Sequence, residues 1–108
     1  MKIIITESQL DNIIYEFLDE EYYPDYGWES SFYRDEVDKY GTVSFNINDD
    51  VAYNYYSDGT LEVIPFVSEG LEIWFSDSWK IPFKKWFEKN SGLEVKSMWA
   101  DNSPVNFN

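Results

Sequence analysis

Residues 42–64 read TVSFNINDDVAYNYYSDGTLEVI, and this stretch decides the fold. Apolar and polar side chains alternate over residues 42–47, which is the period of a half-buried β-strand. Residues 48–50 and 57–60 are turn sequences, and the second of them, Ser-Asp-Gly-Thr, is typical of a hairpin. The predicted strands are residues 42–47, 51–56 and 61–64.

A fourth strand is predicted directly after these three. Residues 68–70, Ser-Glu-Gly, are a turn sequence, and residues 71–75 alternate again. Pro65 cannot donate a backbone hydrogen bond, so it places the third strand at an edge or a bulge of the sheet. The predicted apolar face comprises Val43, Phe45, Val63, Leu71, Ile73 and Phe75. The predicted polar face carries Asn54, Glu62, Glu72 and Trp74.

A helix is predicted before the sheet, from Glu7 to Glu21. Thr6 and Gln9 have the spacing of a capping box, and apolar residues then recur at i, i+3, i+4, i+7 and i+8. The stripe is Leu10, Ile13, Ile14, Phe17 and Leu18, of which Leu10, Ile14 and Phe17 are expected to be buried. Pro24 and Gly27 then break the chain.

Residues 28–40 leave two alternatives open. Trp28, Phe32, Tyr33 and Val37 suit a short second helix, but the segment is equally consistent with irregular structure.

A helix and a strand are predicted after residue 76. Asp77 or Ser78 is suited to cap the helix, Pro82 to its first turn, and Gly92 to the position just past its end. The helix is expected to bury Phe83, Trp86 and Phe87. Residues 93–99 alternate as a last strand.

Together these elements predict an α+β domain over residues 1–101. Its sheet is a four-stranded antiparallel meander plus a C-terminal strand, with two helices packed on one face. Residues 102–108 are predicted to be an extended or frayed tail.

The composition excludes several functional classes. The chain has 108 residues and contains neither cysteine nor histidine, so thiolate or imidazole metal sites, cysteine nucleophiles and His-based triads are impossible. Its formal net charge of −13 would repel phosphate, which argues against a nucleic-acid ligand and favours a basic protein as partner. Residues 1–5 contain too few apolar residues for a signal peptide or a membrane span. We expect a cytoplasmic protein that needs no cofactor, no metal and no membrane.

The most unusual local composition lies at the end of the first predicted helix, where acids alternate with aromatic residues. Carboxylates at such spacing can stand in for phosphates, while rings supply affinity at protein interfaces. The predicted partner-binding residues are Asp19, Glu20, Glu21, Tyr22, Tyr23, Asp25, Tyr26 and Glu29. The alternatives are a solvated loop whose rings fold back on the core, or a divalent-cation site. Amide replacement of Glu20, Glu21 and Asp25 is expected to leave the fold as stable or more stable.

Four other groups of residues have weaker functional interpretations. Asn46, Asn48, Asp49 and Asp50 offer oxygen ligands at a turn but match no calcium-loop pattern. Glu62 and Glu72 would face each other on the predicted polar sheet face, as a glycosidase requires, and Tyr56 and Trp74 could stack there on sugars. Lys80, Lys84, Lys85 and Lys89 suit internal charge compensation, pairing with the first helix or anion binding.

Residues 1–10, MKIIITESQL, and more loosely residues 83–95, FKKWFEKNSGLEV, resemble segments of small uncharacterised proteins encoded by tailed bacteriophages. The resemblance covers about a fifth of the chain and contains no catalytic motif. It implies expression in a bacterial host cytoplasm. Small acidic phage proteins include nucleic-acid mimics, inhibitors of host defence enzymes and minor virion components, but no functional residue can be carried over.

The sequence therefore predicts a non-enzymatic acidic protein that docks on a basic site of a partner protein and inhibits the partner. A nucleic-acid-binding site is one kind of basic site that it could occupy. The first alternative is a structural or assembly component that oligomerises through its aromatic surface. The second is a carboxylate-based hydrolase, which would need two carboxylates about 5–10 Å apart in a cleft.

Overall fold

The computed structural model of the protein describes residues 6–106, which form four helices and five strands. In chain order they are α1 (Glu7–Glu21), α2 (Ser30–Tyr40), β1 (Thr42–Ile47), β2 (Asp50–Tyr56), β3 (Thr60–Val63), α3 (Pro65–Phe75), α4 (Lys80–Ser91), β4 (Ser97–Ala100) and β5 (Ser103–Pro104). The α+β class is as predicted. The N-terminal residues 1–5, to which the signal-peptide argument applied, lie outside the described part of the chain.

The five strands form one mixed sheet in the order β1-β2-β3-β4-β5. The two predicted hairpins are confirmed, because β1 pairs antiparallel with β2 and β2 with β3. The next strand, β4, runs parallel to β3, since α3 and α4 carry the chain back to the other end of the sheet. The antiparallel meander therefore ends after three strands rather than four.

The predicted fourth strand, Leu71–Phe75, is wrong because these residues belong to α3. Pro65 occupies the first helical turn, where its missing N–H costs nothing, and Val67 and Leu71, four residues apart, are both fully buried. Ile73, which an alternating strand would bury beside Leu71, is 80% exposed. Gly70 sits where a Cβ atom would lie 2.5 Å from the Tyr22 hydroxyl.

Helix α1 has the predicted bounds, and both hydrogen bonds of the Thr6–Gln9 capping box are present. Its fully buried residues are Ile14 and Leu18. The prediction for Leu10 and Phe17 is wrong in degree, since both are only partly buried against the core.

Of the two alternatives for residues 28–40, the helix is confirmed over Ser30–Tyr40, which form α2 and bury Tyr33 and Val37. Helix α4 begins at Lys80 after Trp79, so neither Asp77 nor Ser78 is its N-cap. The predicted count of two helices is thus too low for residues 6–106, which contain four.

The last long strand is shorter than predicted, because β4 begins only at Ser97. Of the predicted tail, Ser103 and Pro104 pair with β4 as β5. Residues 107 and 108 lie outside the described residues.

The core lies between one face of the sheet and the helices, and it is rich in aromatic rings. Phe45 and Tyr53 pair across β1 and β2 with ring centroids 5.0 Å apart. Phe87 of α4 packs against both of these rings. The predicted burial of Phe83, Trp86 and Phe87 is confirmed. The opposite sheet face, which includes Ser44, Asn54, Glu62 and Trp99, is exposed or half-buried.

Candidate functional site

The acidic segment predicted to bind a partner comprises the last turn of α1 and the connection to α2, and it is anchored at its middle. The Asp25 N–H donates to the carbonyl of Asn46 at 2.8 Å, and the Gly27 N–H donates to that of Pro24. Pro24 is itself buried. The segment therefore lies fixed against the β1–β2 hairpin.

Asp25 has a structural role in this anchoring. Its two carboxylate oxygens accept the N–H groups of Asn48 and Asp49, each at 2.9 Å. Both of these turn residues have positive φ, 52° and 68°, as a two-residue hairpin turn of the favoured twist requires. The carboxylate of Asp25 is thus occupied by the turn, which consists of Asn48 and Asp49, two of the four residues considered as oxygen ligands.

Asp19 is also engaged within the fold. Its Oδ1 accepts the indole N–H of Trp86 at 2.8 Å, which links α1 to α4. Tyr22 is half-buried, and its carbonyl accepts the hydroxyl of Tyr53 at 3.0 Å. Asp19 and Tyr22 therefore hold α1 against its neighbours.

The remaining predicted residues face solvent. Tyr23 packs edge-to-face on Trp28, with ring centroids 6.4 Å apart, yet stays half exposed. Tyr26 is 78% exposed. We call these solvent-facing residues the acidic aromatic surface: Glu20, Glu21, Tyr23, Tyr26 and Glu29. Five of the eight predicted residues therefore remain available to a partner.

A groove of about 320 Å³ opens beside this surface, and Tyr26, Glu29, Phe32 and Tyr33 line it. We call it the aromatic groove. Tyr33 is nearly buried, and its hydroxyl donates to the carbonyl of Gly27. Burial, with smaller contributions from Tyr23 and Glu29, raises the pKa of Tyr33 above its ordinary value. The floor of the groove is therefore neutral and fixed.

Sequence reasoning assigned Phe32 to the apolar side of a possible helix and missed its place in the groove. Consecutive helical residues point about 100° apart, and in α2 it is Tyr33 that faces the core. Phe32 is the one left outside, 49% exposed.

A second exposed apolar area lies on α3. It comprises Phe66, Ile73 and Trp74, and we call it the α3 patch. Trp74 is 71% exposed and lies beside Phe17 of α1, with ring centroids 6.4 Å apart. The prediction that residues 71–75 form a strand placed Ile73 on a buried face, so this patch was missed. Helical spacing counted from Pro65 would have predicted that Ile73 is exposed.

Oppositely charged side chains compensate few of the acids. Two ion pairs form among residues 6–106: Lys80 with Asp77 at 3.1 Å and Lys84 with Glu88 at 3.2 Å. Both lie within or next to α4. Lys85 and Lys89 instead line a cleft of about 460 Å³ between α1 and α4, together with Asp19.

The open sheet face holds a polar row rather than paired carboxylates. Glu62 accepts hydrogen bonds from Asn54 Nδ2 at 2.9 Å and from the Tyr56 hydroxyl at 3.0 Å. The predicted pairing with Glu72 is wrong, because Glu72 belongs to α3. For the same reason Trp74 is not on the sheet beside Tyr56.

Comparisons with protein-family models, curated proteins and solved structures find no match to this chain. The likeness of residues 1–10 and 83–95 to small phage proteins therefore stays a prediction.

We also searched residues 6–106 for a metal site, a pair of catalytic carboxylates and a membrane-spanning helix. They contain no group of three or more acidic side chains placed to hold a metal ion. Glu7, Asp11 and Asp77 share a cleft of about 200 Å³, but a carboxyl acting as general acid is normally buried in apolar surroundings, and the Asp77 side chain is 88% exposed. No helix in this range is long and apolar enough to span a membrane.

Proposed function

We propose that the protein is a non-enzymatic binding protein that docks its acidic aromatic surface on a basic site of another protein. The observation that carries this proposal is the joint exposure of Tyr23 and Tyr26 among carboxylates that form no ion pair with the described residues. Within residues 6–106, Glu20, Glu21 and Glu29 form no ion pair. A cationic partner would neutralise them and cover the rings at the same time.

The two kinds of side chain would contribute differently to binding. Exposed charges of one sign steer an oppositely charged partner and raise the association rate, which salt then reduces. Tyrosine rings give large contact areas and are enriched among the residues that dominate interface energies. The loop that carries Tyr26 is held by Asp25, so little ordering would be needed on binding.

The partner we propose is a basic, nucleic-acid-binding protein that this protein inhibits. Carboxylates on a rigid surface can occupy positions where the partner normally holds phosphates. The resemblance to phage proteins adds the expectation that the partner is a host or defence protein in a bacterial cytoplasm.

The test starts with affinity capture from the cells that naturally make the protein, followed by association kinetics with the isolated partner. In the test variant, Glu20→Gln, Glu21→Gln and Glu29→Gln remove three charges from the acidic aromatic surface. In the control, Asp38→Asn, Glu69→Gln and Glu94→Gln remove three exposed charges elsewhere. We expect the test variant to associate more slowly than the control and with a shallower dependence on salt. Equal rates and equal salt slopes for the two variants would contradict the proposal.

A second candidate function is self-assembly, which the α3 patch favours. Ile73 and Trp74 expose most of their apolar surface, and exposed apolar patches often mark interfaces. In that case the purified protein would be an oligomer by mass measurement, and Ile73→Ser with Trp74→Ser would make it monomeric. A monomer at all concentrations would leave the docking function as the better proposal.

A further inference from the structure

The aromatic groove has a rigid floor and exposed walls. Tyr33 forms the floor, where it is 3% exposed and its ring lies 4.3 Å from that of Phe45. Phe32 stands against it, with ring centroids 5.5 Å apart at 70°. Tyr26 provides the other wall. A groove built in this way presents aromatic side chains to a ligand without a change in the core.

The rim of the groove carries one carboxylate, that of Glu29. Glu29 is the N-cap residue of α2 but makes no side-chain cap hydrogen bond. Serine, aspartate or asparagine would cap the helix more effectively. The full negative charge of Glu29 exceeds the positive helix end, which equals about half an elementary charge, so the rim remains favourable to a cation.

We propose that the aromatic groove receives an arginine side chain of the basic partner, whose guanidinium stacks on Tyr26 and Phe32 and pairs with Glu29. This inference rests on the proposed function and names the contact at its centre. Guanidinium groups stack on aromatic faces and match carboxylates with two parallel hydrogen bonds.

Other occupants fit this groove less well. A purely apolar side chain would cover Glu29 and leave its carboxylate desolvated without a partner. A lysine ammonium holds its water more strongly and has no planar face to stack. A volume of about 320 Å³ lies near the lower limit of about 300 Å³ for ligand pockets, which suits one side chain better than a large cofactor.

The first experiment titrates the full chain with three short peptides while aromatic side-chain NMR signals are recorded. The probes are acetyl-Gly-Arg-Gly-amide, the same peptide with lysine, and the same peptide with citrulline, which has the shape of arginine without its charge. We expect saturable shifts at Tyr26 and Phe32 with the arginine peptide, weaker binding of the lysine peptide and no saturation with citrulline. Equal shifts from arginine and citrulline would overturn the inference.

Variants then locate the binding site. Tyr26→Ala, Phe32→Ala and Glu29→Gln should each weaken arginine-peptide binding by roughly twofold to fivefold, given the usual strength of an exposed cation–π contact or ion pair. Tyr40→Ala removes an exposed ring of the same helix outside the groove and should change nothing. If Phe32→Ala alters thermal unfolding, the highly exposed Tyr26 and Glu29 decide the result. Unchanged affinity in those two variants would also overturn the inference.

Binding measurements with the captured partner distinguish a failure of this inference from a failure of the proposed function. If removal of Glu20, Glu21 and Glu29 charges slows association but Tyr26→Ala with Phe32→Ala leaves affinity unchanged, the docking function stands and the arginine contact is wrong. If the groove binds the arginine peptide but charge removal does not change association, the groove is supported and the docking function is wrong.

Discussion

Trp86 donates its indole N–H to Oδ1 of Asp19 at 2.8 Å, which joins α4 to α1 across 67 residues of sequence. Asp19→Ala should lower the free energy of unfolding by about 1–3 kcal/mol, because Trp86 is nearly buried and would lose its acceptor. Asp19→Asn keeps an acceptor oxygen and should cost less. Denaturant unfolding measures both changes. Identical denaturant midpoints for Asp19→Ala and the wild type would show that this hydrogen bond does not stabilise the fold. Asp19 would then count among the residues available to a partner.

Asp25 and the helix-end glutamates should respond oppositely to amide replacement. Asp25→Asn should destabilise the fold by about 1–2 kcal/mol, since one oxygen acceptor and the charge on two hydrogen bonds to the turn are lost. Glu20→Gln with Glu21→Gln should be neutral or stabilise slightly, because acids at a helix C-terminus oppose its dipole. The expectation that the amides are harmless is kept for Glu20 and Glu21, whereas the two hydrogen bonds that Asp25 accepts predict a loss of stability at that position. Equal unfolding midpoints for Asp25→Asn and the wild type would show that its bonds add nothing.

The helical structure of α3 predicts different effects of substitution at Leu71 and Ile73, which lie two residues apart. Leu71→Ala should cost about 2–5 kcal/mol, because Leu71 is fully buried. Ile73→Ala should change stability by less than about 0.5 kcal/mol, because that side chain is exposed. An alternating strand would bury both residues and make both substitutions costly. Comparable losses for the two variants would therefore contradict the helix.

The sequence was sufficient where a pattern had one interpretation. The capping box of Thr6 and Gln9 and the stripe that follows it predicted α1 with its bounds, because local hydrogen bonds and burial favour the same structure. The two hairpins were equally clear. In residues 71–75 the patterns conflict, since Leu71, Ile73 and Phe75 alternate while Val67 and Leu71 have helical spacing. Pro65 does not resolve this conflict, because it is consistent with either an edge strand or a helix start.

The candidate site was only partly predictable for a different reason. Charge and aromatic content identified the segment, but not which acids the fold uses itself. The carboxylates of Asp19 and Asp25 accept hydrogen bonds from Trp86 and Asn48, residues that lie far from them in the sequence. The exposure of Phe32 could be predicted only from the helical register of α2, and the sequence of residues 28–40 does not establish that this segment is a helix. Long-range pairing, rather than composition, separates the structural acids from the exposed ones.

The protein should lose stability at the alkaline pH at which its buried tyrosines ionise. Burial raises the pKa of Tyr53 well above its ordinary value of 10.0, and burial also raises the pKa of Tyr55. Between the unfolded and the folded pKa the native state holds more protons, so stability falls as pH rises above about 10. Tyrosinate absorbance and circular dichroism should therefore change together for these residues. Full ionisation of every tyrosine without loss of the fold would contradict their burial.

Repulsion between carboxylates should make the fold sensitive to salt at neutral pH. The net charge is −13 and residues 6–106 form two ion pairs, so like-charge repulsion exceeds pairing. Stability at low salt should rise from pH 7 to about 5.5, or rise with added sodium chloride at pH 7. Hydrogen bonds from the hydroxyl and N–H of Thr60 lower the pKa of Asp58, so the stabilisation from this residue is lost only at still lower pH. Denaturant midpoints measured across pH and salt concentration test the repulsion between carboxylates. The effect of salt should shrink towards the isoelectric point near 4.1, where the net charge vanishes. If acid and salt both lower the midpoint from its value at pH 7, the carboxylates are mostly paired, and repulsion does not limit the stability of this fold.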